Sequence, residues 1–160
     1  MLLLSMACLT ALCAQAQANY VDMGLPSGTK WKSTNELNTT DVKSDFFTYD
    51  EATVKYGNQI PSKTQWEELK TLCKWSWNGN GYDITGPNGN SITLPASGYR
   101  FCFNGIEATE PYGTKSYGRY WSSSPSDAGF AWYISFSSSE TQINSYFCCF
   151  GYTVRLVKMD

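Results

Sequence analysis

The sequence predicts an α+β domain, with two short helices packed on a twisted antiparallel β-sheet. Three observations carry this. Two capping boxes, Thr48-Tyr49-Asp50-Glu51 and Ser62-Lys63-Thr64-Gln65, open segments with apolar residues at helical spacing. From Tyr82 onward the apolar period changes to two, with turn residues between the runs. The helices precede the run of strands instead of alternating with it, which is an α+β order.

Each element has its own warrant. Tyr20–Met23 and Thr29–Lys32 read as short strands about the turn Leu25-Pro26-Ser27-Gly28. Residues 34–46 are polar, lack a period and read as a loop. Within them Asn38-Thr39-Thr40 has the glycosylation pattern but reads as ordinary loop chemistry. The first helix places Tyr49, Ala52 and Tyr56 on one face. Phe47 can staple onto Ala52, and Gly57 stands where a C-cap belongs. The second helix follows Pro61 and lines one face with Trp66, Leu69 and Cys73, Leu72 beside them. Glu67, Lys70 and Lys74 point outward.

The strands follow as Tyr82–Thr85 and Ser91–Leu94 about Gly86-Pro87-Asn88-Gly89-Asn90, then Tyr99–Phe103 and Ile106–Ala108 about Asn104-Gly105. Tyr117–Ser123, Phe130–Phe136, Thr141–Phe147 and Tyr152–Val157 complete the set. Alternation puts Phe130, Trp132, Ile134 and Phe136 on one face, expected to be core, and Ala131, Tyr133 and Ser135 on the other.

Composition narrows the function. Among 160 residues there are 12 Lys+Arg, 14 Asp+Glu and no His, for a net charge of -2. A near-balanced charge argues against a nucleic acid or an anionic membrane as partner. Without histidine there is no Ser-His-Asp or Cys-His catalysis and no imidazole metal site. The serine runs 122–124 and 137–139 have no evident base, and Glu67 and Glu68 diverge on their helix. The sequence therefore reads as non-catalytic, with no cofactor and no metal.

Residues 1–18 form an uncharged, apolar-rich segment with small-x-small patterns at Ala14-Gln15-Ala16 and Ala16-Gln17-Ala18. This predicts a cleaved signal peptide, with 19–160 a single domain secreted or held at the cell surface or periplasm. A lipoprotein anchor needs a small residue just before its cysteine and apolar ones further back; Cys13 follows Leu12 and Cys8 follows Ser5-Met6-Ala7, so an anchor fits less well. No apolar stretch approaches membrane-spanning length. Cys73, Cys102, Cys148 and Cys149 remain as disulfide candidates. A Cys148–Cys149 bond would be a strained vicinal ring. One bridge from Cys73 or Cys102 to the 148–149 pair is expected.

Ile60-Pro61-Ser62-Lys63-Thr64-Gln65-Trp66-Glu67 resembles the second-helix motif of the formylglycine-generating enzymes, which share the C-type lectin-like fold. The order of several motifs more closely resembles the Fibrobacter succinogenes major paralogous (FISUMP) domain family of exported bacterial proteins. The matching stretches are Val21–Gly28, Thr85–Asn90, Gly98-Tyr99-Arg100, Tyr120–Ser124 and Val154–Val157, so the likeness runs over residues 20–158. It implies a C-type lectin-like fold and no established activity. Formylglycine-generating enzymes use two cysteines several residues apart for copper; Cys148 and Cys149 are adjacent, so that activity does not carry over. Calcium lectins use Glu-Pro-Asn, and here Tyr112 follows Glu110-Pro111.

One surplus is left. Aromatics reach 16% (Trp 6, Tyr 11, Phe 8), matching the charged residues at 16%. Between Tyr112 and Tyr152 they mix with Ser, Gly and Asn, as in antibody-like paratopes. The mixture also suits sugar stacking. The expectation is an exported binding module for a protein or glycan ligand, with Tyr112, Tyr117, Trp132, Asn144 and Tyr146 as its candidate contacts. The alternative is a structural or assembly subunit of a surface appendage or envelope complex.

Overall fold

The computed structural model describes residues 19–38 and 45–159. The expected signal peptide, with Cys8 and Cys13, lies outside the described residues. The observed order is β1 (Tyr20–Asp22), β2 (Lys30–Asn35), α1 (Tyr49–Tyr56), α2 (Lys63–Leu72), β3 (Lys74–Trp77), β4 (Gly81–Thr85) and β5 (Ser91–Pro95). Then come β6 (Cys102–Phe103), β7 (Ile106–Glu107), β8 (Gly118–Pro125), β9 (Phe130–Phe136), β10 (Thr141–Phe147) and β11 (Arg155–Lys158). The fold is α+β, and its sheets are antiparallel: β1-β2-β11, β10-β9-β8, β3-β4-β5 and the β6-β7 ribbon.

Both helices start as their capping boxes dictate. Thr48 Oγ1 accepts from Glu51 N and the Glu51 carboxylate accepts from Thr48 N; Ser62 and Gln65 repeat the exchange. Gly57 ends α1 at φ 50°, a left-handed value that an L side chain rarely adopts, and its N–H donates to Thr53 O. Ala52 is buried in the same cluster as Phe47. Trp66 and Leu69 are fully buried, whereas Leu72 is exposed.

Several expectations need correction. Residues 34–46 are not all loop, because β2 continues to Asn35 between β1 and β11. Lys74 is not an outward helix residue. Cys73 turns extended at φ -102°, ψ 154°, and β3 begins at once, pairing Trp75 with Ile84 and Trp77 with Tyr82. Tyr99, Arg100, Tyr152 and Thr153 form only single bridges, so their strands are shorter than expected. Asn38 is buried and its side-chain amide donates to Phe46 O, which agrees with its reading as loop chemistry.

The largest correction concerns β9. It is covered on both faces, not one. Ile134 and Phe136 join a core with Trp31, Trp66, Tyr82 and Tyr120. Ala131 and Tyr133 join a second core with Phe47, Trp121, Tyr152 and Leu156. Phe130 and Trp132 are only half-buried, although they share a face with Ile134 and Phe136. A strand packed on both sides gives a near-continuous buried run, which hides its alternation.

Polar groups stitch these layers together. The Trp121 indole donates to Phe47 O, and Trp66 Nε1 donates to Trp121 O. The buried Arg155 guanidinium donates to Asn35 Oδ1, Lys32 O and Thr93 O, joining two sheets. Tyr120 OH donates to Pro95 O at 2.7 Å and accepts from Asn35. Burial pushes the Tyr120 phenol up to about 12, with the Arg155 charge opposing.

Cys102 is bonded to Cys149, and Cys73 and Cys148 are free thiols. The bridge therefore falls among the expected pairings. Cys73 is excluded from it because it caps α2 and packs on the first core. No helix among the described residues is long and apolar enough to cross a membrane.

Two outcomes follow. Replacing both Cys102 and Cys149 by serine should lower stability by ~2–5 kcal/mol in urea unfolding, since the bond closes a 47-residue separation. The raised Tyr120 pKa stabilises the fold fully below the phenol's ordinary 10.0, and that contribution is lost as pH climbs toward 12. Tyr120→Phe should cost ~1–3 kcal/mol at neutral pH, because Pro95 O loses its donor, and should flatten part of the alkaline decline. Urea curves across that pH range would show an unchanged slope if the assignment is wrong.

Candidate functional site

The site grows from the register of the β8-β9-β10 sheet. Residues directly across an antiparallel ladder project from the same face. Arg119 pairs with Ser135 and Ser135 with Gln142; Tyr133 pairs with Asn144 and Ala131 with Tyr146. Arg119, Tyr133, Ser135, Gln142, Asn144 and Tyr146 thus share one face. Trp132 pairs with Ser145 on the opposite face.

A cleft of about 190 Å³ opens on the shared face, lined by Tyr117, Arg119, Tyr133, Ser135, Glu140, Gln142 and Asn144, with Ser137 at one end. Gly118 fits here by close approach. A Cβ on it would lie 2.0 Å from the Phe136 ring. The polar wall is a ladder along alternate residues from Glu140 into β10. Asn144 Nδ2 donates to Gln142 Oε1 at 3.2 Å, and Gln142 Nε2 donates to Glu140 Oε2 at 2.8 Å. Across from it the Arg119 guanidinium lies 3.5 Å over the Tyr99 ring and donates to Tyr152 OH at 3.2 Å. Burial raises the Tyr99 and Tyr152 phenols, and Arg119 opposes both shifts.

An aromatic ridge runs beside the cleft. Tyr117 stacks on Tyr112 at an interplanar angle of 14°. The chain of ring contacts continues through Phe101 and Phe150 to Tyr146, with centroids 4.9–6.0 Å apart, and passes at the sheet edge to Phe147 and Phe130 on the other face. Such separations suit favourable edge and offset contacts. Tyr112, Tyr117, Phe101, Tyr146 and Phe147 are all 40–52% exposed. The Cys102–Cys149 bond holds the two loops that carry Phe101 and Phe150 together. Reciprocal backbone bonds between Arg100 and Gly151 reinforce that junction, as does the Arg100–Glu107 ion pair.

The structure brings four of the five sequence candidates together. Tyr117 and Asn144 line the cleft, Tyr112 stacks on its rim, and Tyr146 belongs to the ridge. Trp132 stands apart on the other face, half-buried, with Lys63 Nζ 3.9 Å from its ring centroid. Sequence reasoning missed Arg119, Glu140 and Gln142. The period of two in β10 carried a signal for Gln142, since it shares parity with Asn144 and Tyr146. It also missed Phe103 and Ile106, which flank the Asn104-Gly105 turn at 79% and 74% exposure. Apolar residues beside a hairpin turn were the available clue.

Burial holds both free thiols toward the protonated form. Burial pushes the Cys73 thiol up to about 11, aided by the Glu68 charge, and raises Cys148 as well. Among the described residues no group of three or more Cys, Asp or Glu is placed to hold a metal ion. No family model, no curated protein and no solved structure matches the chain.

Proposed function

We propose that the protein is an exported, non-catalytic binding module of the FISUMP type, with a C-type lectin-like fold, that recognises a glycan or protein ligand at the cell surface. One observation carries the reading: an exposed aromatic ridge runs beside a small cleft with a hydrogen-bonding wall. Large rigid rings supply contact area at low entropic cost, and the amide, hydroxyl and guanidinium groups supply direction. The cleft, about 190 Å³, is smaller than the ~300–1,000 Å³ typical of drug-sized ligands. It suits one unit of a longer ligand, such as a single sugar ring stacked on Tyr117. Export is supported by the apolar N-terminal segment and by the disulfide. A second reading, as an assembly subunit, is favoured by the outer edge of β10, to which no strand among the described residues is hydrogen-bonded.

Glycan and surface-protein arrays test the ligand reading. Tyr112→Ala and Tyr117→Ala should each weaken binding about tenfold or more, equivalent to ~1.4 kcal/mol. Trp132→Ala should leave it unchanged, because that ring faces the other way. The reading fails if the parent binds nothing on either array, or if the tyrosine variants bind as well as the parent.

A further inference from the structure

The edges of the sheets are treated unequally. At β1 the edge is short, and Asn88 and Asn90 both donate to Asp22 O. β3 is four residues long and begins with Lys74. The edge of β5 is taken up by Arg155, which bonds Thr93 O, and by Tyr120, which bonds Pro95 O. β8 is covered by Thr153, whose N–H donates to Arg119 O and whose carbonyl accepts from Trp121 N. β11 carries Arg155 and Lys158 and an irregular register. These are the usual devices that stop a sheet from growing.

β10 has none of them. Its seven residues, Thr141-Gln142-Ile143-Asn144-Ser145-Tyr146-Phe147, contain no charge and no proline. They pair with β9 in one unbroken register. The flanking bonds Ser137 N to Glu140 O and Cys148 N to Gly129 O fix the alternation. Gln142, Asn144 and Tyr146 bond inward to β9, and the main-chain groups of Thr141, Ile143 and Ser145 point outward. Among the described residues nothing bonds those outward groups.

We infer that β10 is a self-pairing edge, and that two copies of the chain join there in antiparallel fashion about a two-fold axis. The choice of a second copy rests on the strand itself: it is uncharged along its whole length and its outward groups alternate, so an identical strand run antiparallel presents the matching donors and acceptors. Centring the axis on Asn144 sets Ile143 of each copy opposite Ser145 of the other, and Thr141 opposite Phe147. The outward groups of Ile143 and Ser145 then meet in register, Phe147 O being already bonded by Phe150 N, and no like charges face each other. On the cleft face, Gln142 meets Tyr146 and Asn144 meets its own copy. Tyr146 and Phe147, both exposed aromatics, gain a neighbour. The product is a continuous six-stranded sheet with both clefts on one face. The pairing goes beyond the ligand reading and does not require it; only the bivalency of the joined face rests on that reading.

The test is sedimentation equilibrium of the purified full chain over a dilution series, with amide exchange at Ile143 and Ser145. Two protomer masses are expected, with both amides protected in the dimer and exchanging on dilution. Ser145→Pro removes an outward N–H while leaving the β9 ladder whole, a placement that strands tolerate at an edge. It should weaken dimerisation at least tenfold with an unchanged circular dichroism spectrum. Ser145→Lys provides the same readout should the proline variant not fold. A monomer at every concentration overturns the inference. So does a monomer whose two amides stay protected, which would mean that another segment of the chain covers the edge. A dimer indifferent to the folded Ser145 variants, or an open series of larger species, overturns it too. Ligand arrays on the monomeric variant separate this result from the binding reading.

Discussion

The buried indole of Trp121 is the constraint on which the rest of the molecule depends. Its ring donates to Phe47 O and lies 4.2 Å from the Tyr152 ring. Its backbone carbonyl accepts from Trp66 on α2, and its N–H donates to Thr153 O. One residue on β8 thereby fixes the approach to α1, the position of α2 and the entry to β11. Neighbouring residues face opposite ways on a strand, so Tyr120 serves one core while Trp121 serves the other. The two cores are therefore coupled through one strand, and a cavity at Trp121 would loosen both.

This arrangement frees one patch of the central sheet for another use. Arg119, Ser135, Gln142 and Asn144 stand on the same side as the second core without belonging to it, beside its member Tyr133. Arg119 is held between Tyr99 and Tyr152, so its cation belongs to the architecture and to the cleft at once. The polar ladder on β10 has a direction, with amides donating toward Glu140. The cleft wall is thus organised before any ligand arrives, which lowers the ordering cost of binding.

How much of this was legible in the sequence depends on the range of the interaction. The capping boxes at Thr48 and Ser62 are local, and both appear as read. Phe130–Phe136 and Thr141–Phe147 match β9 and β10 residue for residue. β3 was hidden because Cys73 ends α2 with no glycine or proline, so Lys74 continues a plausible helical face. The two-sided burial of β9 was hidden because alternation reports only one covered face. The partner of Cys149 was left open because it is decided by the Arg100–Gly151 bridge, a contact between distant segments. Trp132 and Tyr146 looked alike in composition, and only the β9–β10 register separates them onto opposite faces.

The adjacency of Cys148 and Cys149 has a consequence for how the native state is chosen. Both thiols sit in the turn that follows β10, which Phe150 N closes on Phe147 O and Cys148 N ties to Gly129 O. Only Cys149 is bonded to Cys102, and Cys148 stays a free, half-buried thiol. A bridge from Cys148 would need that turn rebuilt or β10 slipped, and a slip of one residue exchanges every side chain of a strand between faces. The native bond thus ties the choice of thiol to the placement of the cleft residues.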